Sequence, residues 1–182
     1  MSAGLQAWAD AFAQRSGELP GAQVPWLADT RRRALDRFMS EGWPTTKIEA
    51  WRHTSLSPLA AAVFADGGAQ PVAEQVAALK AGEPGHWLVF VDGAFDAGLS
   101  DIGALPDGAT VLPLSQAWSR HADAIQAAYG QAGQGHSTSA LNLALASDGA
   151  WISLARGVAD EQAIHVVCAA ASPQAAHFLR HV

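Results

Sequence analysis

The sequence contains a single cysteine, Cys168, among its 182 residues. An internal disulfide is therefore excluded, and a reducing compartment is the natural expectation. No apolar run approaches the roughly 18 residues that span a membrane. The N-terminus also lacks the basic start and long apolar core of a signal peptide. These absences predict a cytoplasmic protein with no membrane-spanning segment.

Basic residues are scarce as well. The chain carries 11 lysine and arginine residues against 17 aspartate and glutamate residues, which gives a net charge of -6. Nucleic-acid binding needs clustered lysine and arginine to neutralise phosphates, so this balance argues against a nucleic-acid partner. The one dense basic run, Arg31-Arg32-Arg33, is predicted to be the solvated face of a helix.

Apolar residues are abundant, at 49% of the chain, and seven tryptophans indicate aromatic packing. Their helical spacing predicts a first helix around Leu5–Phe12 and a second over about Trp26–Ser40. Leu27, Leu35 and Phe38 belong to the predicted buried face of the second helix. Gly42 then ends this helix, because glycine favours the left-handed conformation that follows a helix.

A linker containing glycine and proline at residues 81–85 marks a boundary. We predict an N-terminal helical domain over residues 1–85 and a β-rich region with two short inserted helices over residues 86–182. Apolar runs of strand length predict strands in the second region. They lie at 87–91, 110–114, 151–154, 163–168 and 177–182.

Three of these runs begin at Trp151, Ile164 and His177, at a regular interval of thirteen residues. Short strands at a regular interval are typical of the coils of a β-solenoid, although an ordinary mixed sheet fits the spacing nearly as well. The chain stops at Val182 inside the last run. We therefore expect either a fragment of a longer protein or a partner that covers the strand edge.

Glycine-rich stretches predict loops at residues 66–68 and 130–135, and the second lacks the lysine of a phosphate-binding loop. The pairs Asp92-Gly93, Asp107-Gly108 and Asp148-Gly149 are predicted to be turns and not paired catalytic acids.

His165, Cys168, His177 and His181 form the one grouping with the residue types of a metal site. Residues 165 and 168 are an odd number apart and point to opposite faces of a strand. A buried cysteine with solvent-facing histidines is therefore the favoured interpretation, and a small metal-binding module stays open as the alternative. The apolar neighbours of Cys168 predict a raised thiol pKa and an inert cysteine.

The stretch Gly42–Leu56, called the signature segment below, combines two tryptophans with charges of both signs. Lys47, Glu49 and Arg52 are candidates for binding an anion or a partner. The simpler interpretation is a local ion-pair network beside packed tryptophans, which include Trp51. We predict a structural or docking role for these residues, with no catalytic role.

Residues of the signature segment resemble the N-terminal signature of the SufD family. They are Gly42-Trp43-Pro44, Lys47, Glu49, Trp51-Arg52-His53-Thr54 and Leu56. Leu88–Gly93 and the pair Leu141-Asn142 are similar to later segments of that family. The aromatic residue that usually precedes the Leu-Asn pair is missing from His136-Ser137-Thr138.

The resemblance implies a scaffold subunit of the SUF iron–sulfur cluster assembly complex. It implies SufB-like and SufC-like partners, and an iron–sulfur cluster on the assembled complex with no cofactor on this chain. The implied fold is α+β, with an N-terminal helical domain followed by the first coils of a truncated right-handed parallel β-helix. The SufC-binding domain and the family's functional residues would be absent, so we expect no enzyme. A free-standing protein-interaction domain is a further alternative.

Overall fold

The computed structural model describes residues 3–64, 70–131, 135–172 and 174–182. The predicted loop at 66–68 and the middle of the predicted loop at 130–135 lie outside them. The helices are α1 (Ala3–Arg15), α2 (Pro25–Glu41), α3 (Ser57–Ala61), α4 (Ala73–Lys80), α5 (Leu114–Ala128) and α6 (Ser137–Leu145). The strands are β1 (His86–Val91), β2 (Ala94–Phe95), β3 (Ala109–Pro113), β4 (Ala150–Leu154) and β5 (Ile164–Ala169). None of the described helices is long and apolar enough to cross a membrane.

Packing divides the chain into two compact units. The first comprises Met1–Phe64 and Ala128–Ala146, and it holds α1, α2, α3 and α6. The second comprises Ala65–Ala127 and Ser147–Val182, and it holds α4, α5 up to Ala127 and the five strands. The domain boundary predicted at residue 85 stays a prediction.

Helix α2 packs against α6 in the first unit. Leu27, Leu35 and Phe38 of α2 are buried, as are Leu141 and Leu145 of α6. The helical repeat places each set on one side of its helix, which explains why the two helices pack together. The predicted buried face of α2 is confirmed.

Arg31 departs from the prediction of a solvated arginine face, because it is only 3% exposed. Its Nη2 donates a hydrogen bond of 3.1 Å to the carbonyl of Ala146, immediately after α6. The last carbonyls of a helix lack helical partners and carry partial negative charge, so a buried cation is stabilised there. Arg32 pairs with Asp29 on the surface, and Arg33 is also exposed.

The strands of the second unit form two small sheets. In the first, the order is β2-β1-β5, with β1 antiparallel to β2 and parallel to β5. In the second, β3 pairs antiparallel with β4. Leu88, Phe90, Val111 and Ala150 form one buried apolar cluster from both sheets. The nearly continuous apolar sequence of β1 is explained by this burial.

Residues 178–182 run beside β4 without forming a regular strand. The N–H of Val182 donates to the carbonyl of Ala150 at 2.8 Å, and its carbonyl accepts from the N–H of Ile152 at 2.9 Å. One isolated parallel bridge accompanies these bonds. The strand predicted from His177 is therefore present only as a shorter, irregular pairing.

The expected right-handed parallel β-helix is wrong. In a β-helix, equivalent strands of successive coils stack on one another, so the runs starting at Trp151, Ile164 and His177 would pair in sequence. Instead, β4 pairs with β3, and β5 pairs with β1 so that His86 lies opposite Ile164. The apolar run of β1, Trp87–Phe90, is buried with β5 as a neighbour of the strand. The described residues form an α+β fold with small sheets and no solenoid sheet.

Candidate functional site

The signature segment begins where α2 ends. The N–H of Gly42 donates to the carbonyl of Phe38 at 2.7 Å, and its φ of 69° lies in the left-handed region that favours glycine. The ring of Trp43 then packs edge-on against Phe38, with ring centroids 5.3 Å apart. The start of the segment is therefore fixed to the buried face of α2.

The predicted site residues lie on the exposed part of this segment. Glu49–Trp51 form a short 3-10 helix, and Nη1 of Arg52 lies 3.2 Å from Oε1 of Glu49. These two side chains are 59% and 82% exposed, so their ion pair contributes little to stability. Lys47 is exposed and forms no ion pair within the described residues. The structure thus brings Glu49 and Arg52 together, and no carboxylate of the described residues pairs with the Lys47 ammonium group.

Trp51 contacts His136, a residue that no pattern in the sequence connects to it. Its indole Nε1 donates a hydrogen bond of 3.3 Å to Nδ1 of His136, and the two rings meet edge-on with centroids 5.8 Å apart. His136 directly precedes α6 and stands where the SufD resemblance departs from the usual pattern. No sequence signal links positions 85 residues apart. The pair joins the signature segment to the start of α6.

Asp92 does more than form the predicted turn. Its Oδ1 accepts hydrogen bonds from the N–H groups of Ala171, at 2.7 Å, and Ser172, at 3.0 Å, and its Oδ2 accepts from the Ser172 hydroxyl. His177 Nε2 lies 3.2 Å from Oδ1. Burial raises the pKa of Asp92, but the hydrogen bonds and His177 outweigh burial and hold it below its usual value. The carboxylate anchors the chain that follows β5.

Asp148 acts in the same way between other elements. Its Oδ1 accepts from the N–H groups of Ser115 and Gly149, and its Oδ2 accepts from the Ser115 hydroxyl at 2.8 Å. The N–H of Phe95 contributes a longer bond of 3.3 Å. The carboxylate therefore links β2, the start of α5 and the turn before β4. Donors from the protein engage both carboxylates, which suits anchoring and not proton transfer.

The four residues of the predicted metal alternative do not converge. Cys168 Sγ lies 4.0 Å from His181 Nε2, but His165 stacks on Trp87 with centroids 3.9 Å apart, and His177 faces Ser172 and Asp92. No group of three metal-ligating residues forms within the described parts of the chain.

Cys168 is exposed, so the favoured interpretation of a buried cysteine is wrong. Although the side chain lies on the surface, partial burial still raises the pKa of the thiol, as the apolar neighbours predicted. Burial also lowers the pKa of His181, against the opposing effect of Asp148. Both shifts favour the uncharged form, the thiol of Cys168 and the neutral imidazole of His181.

Sequence reasoning missed a buried His–Asp pair at the start of β1. His86 is 1% exposed, and its Nε2 lies 3.1 Å from Oδ2 of Asp160. Its Nδ1 is buried without a hydrogen-bond partner in the described structure. A histidine at the end of an apolar strand signals a buried polar group that needs a partner, but nothing in the sequence identifies Asp160.

Comparison with known families identifies the region that contains these strands. Residues 84–166 match the family model described as the SufBD protein N-terminal region. The matched stretch runs from just before β1 into β5. This stretch is therefore similar to a SufB/SufD-type N-terminal region, which confirms the resemblance at that level. The signature segment lies outside the match, and the match does not separate SufD from SufB. No curated protein matches the chain.

Proposed function

We propose that this chain serves as a non-catalytic scaffold subunit of the SUF iron–sulfur cluster assembly machinery. The match of residues 84–166 to the SufBD N-terminal region carries this proposal. The signature segment, with Lys47, Glu49 and Trp51 at the spacing that resembles SufD, supports the assignment to SufD over SufB. A scaffold role also suits Asp92 and Asp148, whose carboxylates anchor backbone segments.

In this proposal, the protein acts in the cytoplasm in a complex with SufB-like and SufC-like subunits. The nascent iron–sulfur cluster is cargo of the assembled complex and is not held by this chain. The separation of His165 and His177 from the Cys168–His181 pair supports a scaffold over the alternative of a four-residue metal module.

A genetic experiment tests the assembly role. Deleting the gene should lower the activity of iron–sulfur enzymes under iron limitation and oxidative stress, and the intact gene supplied in trans should restore it. Enzymes without clusters serve as the control and should keep their activity. Unchanged iron–sulfur enzyme activities in the deletion strain would refute the proposal.

A binding experiment tests the docking role proposed for the signature segment. Within the described residues, the exposed Lys47 ammonium group has no carboxylate partner, so the segment offers a charge to an acidic contact on another subunit. Lys47→Glu should reduce recovery of the SufB-like subunit with the tagged protein. Arg33→Glu places the same charge reversal on an exposed position of α2 and should leave recovery unchanged. If the Lys47→Glu and Arg33→Glu variants recover the partner subunit equally well, docking does not depend on Lys47 of the signature segment.

A further inference from the structure

A cavity between the end of α1 and the first turns of α2 is a feature that the proposed scaffold role does not use. It has a volume of about 280 Å³ and lies within the first compact unit. Apolar surface comes from Phe12, Ala22 and Ala28, and polar groups come from Ser16, Arg31 and Arg32. A lining of this composition suits a ligand that has both a charged part and an apolar part.

Arg31 is the buried cation in the wall of this cavity. Its Nη2 donates to the Ala146 carbonyl, but its Nε and Nη1 have no hydrogen-bond partner among the described residues. No carboxylate of those residues pairs with it. Burial lowers the pKa of Arg31, against a smaller raising effect of Tyr129. Because little water solvates this charge, an anion placed beside it would be bound more strongly than at an exposed arginine.

The groups around the cavity do not supply that anion. Arg32 lines the same cavity and is already paired with Asp29. The end of α1 offers backbone carbonyls, but the carbonyl of Phe12 accepts from the N–H of Ser16 at 2.8 Å. The carbonyl of Arg15 accepts two further backbone hydrogen bonds. These carbonyls are therefore engaged within the chain, and the charge of Arg31 stays uncompensated by a carboxylate of the described residues.

We propose that this cavity binds a small organic carboxylate, with the guanidinium group of Arg31 as its anchor. The Nε and Nη1 atoms are buried, so the Arg31 side chain rotates toward the cavity to donate to a carboxylate oxygen. The Ser16 hydroxyl is a second donor in the lining, and Phe12 and Ala28 contact the hydrocarbon part of the ligand. Inorganic phosphate lacks an apolar part and would use only half of this lining.

Titration calorimetry with sodium butyrate tests the proposal, at an ionic strength held constant with sodium chloride. We expect saturable binding in the millimolar range and weaker binding of inorganic phosphate. Arg31→Met should weaken butyrate binding at least about tenfold, because the charge and its donors are lost while the space stays filled. Arg33→Met removes an exposed arginine from the same helix and should leave butyrate binding unchanged. Equal affinity of the two variants for butyrate, or phosphate binding as tight as butyrate binding, would overturn the proposal.

A second substitution keeps the test valid if Arg31→Met fails to fold. Ala28 is exposed and lines the cavity one turn before Arg31, so Ala28→Phe should fill the cavity and weaken butyrate binding. Ala13→Phe adds the same side chain at an exposed position of α1 outside the lining and should have no effect. An unchanged affinity of the Ala28→Phe variant would mean that butyrate binds elsewhere, and the proposal would fail.

Nuclear magnetic resonance of the unaltered chain reports the anchor directly. The Nε–H signal of Arg31 should shift as butyrate is added, with the concentration dependence that calorimetry gives for binding. The Nε–H signal of exposed Arg33 should stay in place. Saturable butyrate binding without a shift at Arg31 would show that the guanidinium group does not contact the ligand and would contradict the proposed anchor.

Discussion

Asp92 receives two hydrogen bonds from Ser172, one from the backbone N–H at 3.0 Å and one from the hydroxyl at 2.9 Å. Both donors come from the chain that follows β5, while Asp92 directly follows β1. The φ of Asp92, 50°, lies in the left-handed region, which aspartate tolerates better than most residues. The carboxylate thus secures the ends of two parallel strands to each other.

Replacing this carboxylate should destabilise the fold in a pH-dependent way. Asp92→Asn keeps the shape and the tolerance of a positive φ, but removes the charge that accepts these bonds. We expect the free energy of unfolding at neutral pH to fall by about 1.5–3 kcal/mol. Urea unfolding followed by tryptophan fluorescence measures this change.

The sign of the pH dependence follows from the lowered pKa of Asp92. The stabilising contribution is present above the unfolded pKa of about 3.9 and is lost as pH falls through the lower folded value. The difference between the parent protein and Asp92→Asn should therefore shrink in acid. Asp107→Asn alters the exposed Asp107-Gly108 turn and should change stability little. A difference between parent and Asp92→Asn that persists unchanged into strong acid would contradict this account.

A substitution at Gly103 can supply a hydrogen-bond donor to Nδ1 of His86. A Cβ at Gly103 would lie 3.8 Å from Nδ1 of His86, which is buried without a hydrogen-bond partner in the described parts of the chain, and would make no close contact. Gly103→Ser places a hydroxyl within reach of this nitrogen, whereas Gly103→Ala adds the Cβ alone. We expect the serine variant to exceed the alanine variant in unfolding free energy by about 1 kcal/mol.

Thermal and urea unfolding of the two Gly103 variants provide the measurement. His86→Phe in each background is the control, since it removes the proposed acceptor and should abolish the serine advantage. Equal stabilities of the serine and alanine variants would show that the hydroxyl does not reach Nδ1.

Arg31 is predicted to be replaceable by an apolar side chain of similar length. Burial lowers the pKa of Arg31, against a smaller raising effect of Tyr129, and its Nε and Nη1 have no hydrogen-bond partner among the described residues. Arg31→Met fills the same space without a buried charge, whereas Arg31→Ala leaves a cavity. We expect the alanine variant to be about 2 kcal/mol less stable than the methionine variant.

Exposed Arg33 is the matched control for this comparison. Arg33→Met and Arg33→Ala should agree within about 0.5 kcal/mol by urea unfolding, because the position is on the surface. If Arg31→Met were as damaging as Arg31→Ala, the bond to the Ala146 carbonyl would be essential and the space-filling explanation would fail.

Local sequence rules predicted the elements well and their pairing poorly. The buried face of α2 follows from residue spacing, and the apolar run of β1 follows from composition, because both depend on neighbours along the chain. The partner of β5 depends on which apolar surfaces are buried together in three dimensions. The equal spacing of Trp151, Ile164 and His177 reflects only the lengths of the strands and of the loops between them. It does not specify which strands pair, so the solenoid that it predicts does not form.

In the candidate site, too, the sequence predicts features formed by neighbouring residues and does not predict contacts between residues that are distant in sequence. The charged signature segment was identifiable because its residues are close in sequence. Arg31 looked solvated because its carbonyl partner, Ala146, is remote in sequence. Asp92 was identified as a turn residue, but the distant Ser172 that engages its carboxylate has no local signal.

Trp51 and His136 should be energetically coupled, because an indole N–H bond and an edge-on ring contact join them. A double-mutant cycle with Trp51→Phe and His136→Ala isolates the pair from their other contacts. We expect a coupling energy of about 0.5–1 kcal/mol in urea unfolding, since the contact is exposed. Trp51→Phe with His53→Ala, on an exposed neighbouring histidine, is the control and should be additive. If the effects of Trp51→Phe and His136→Ala on the free energy of unfolding are also additive, the contact with the start of α6 does not contribute to stability. The signature segment would then be held in place by its attachment to α2 alone.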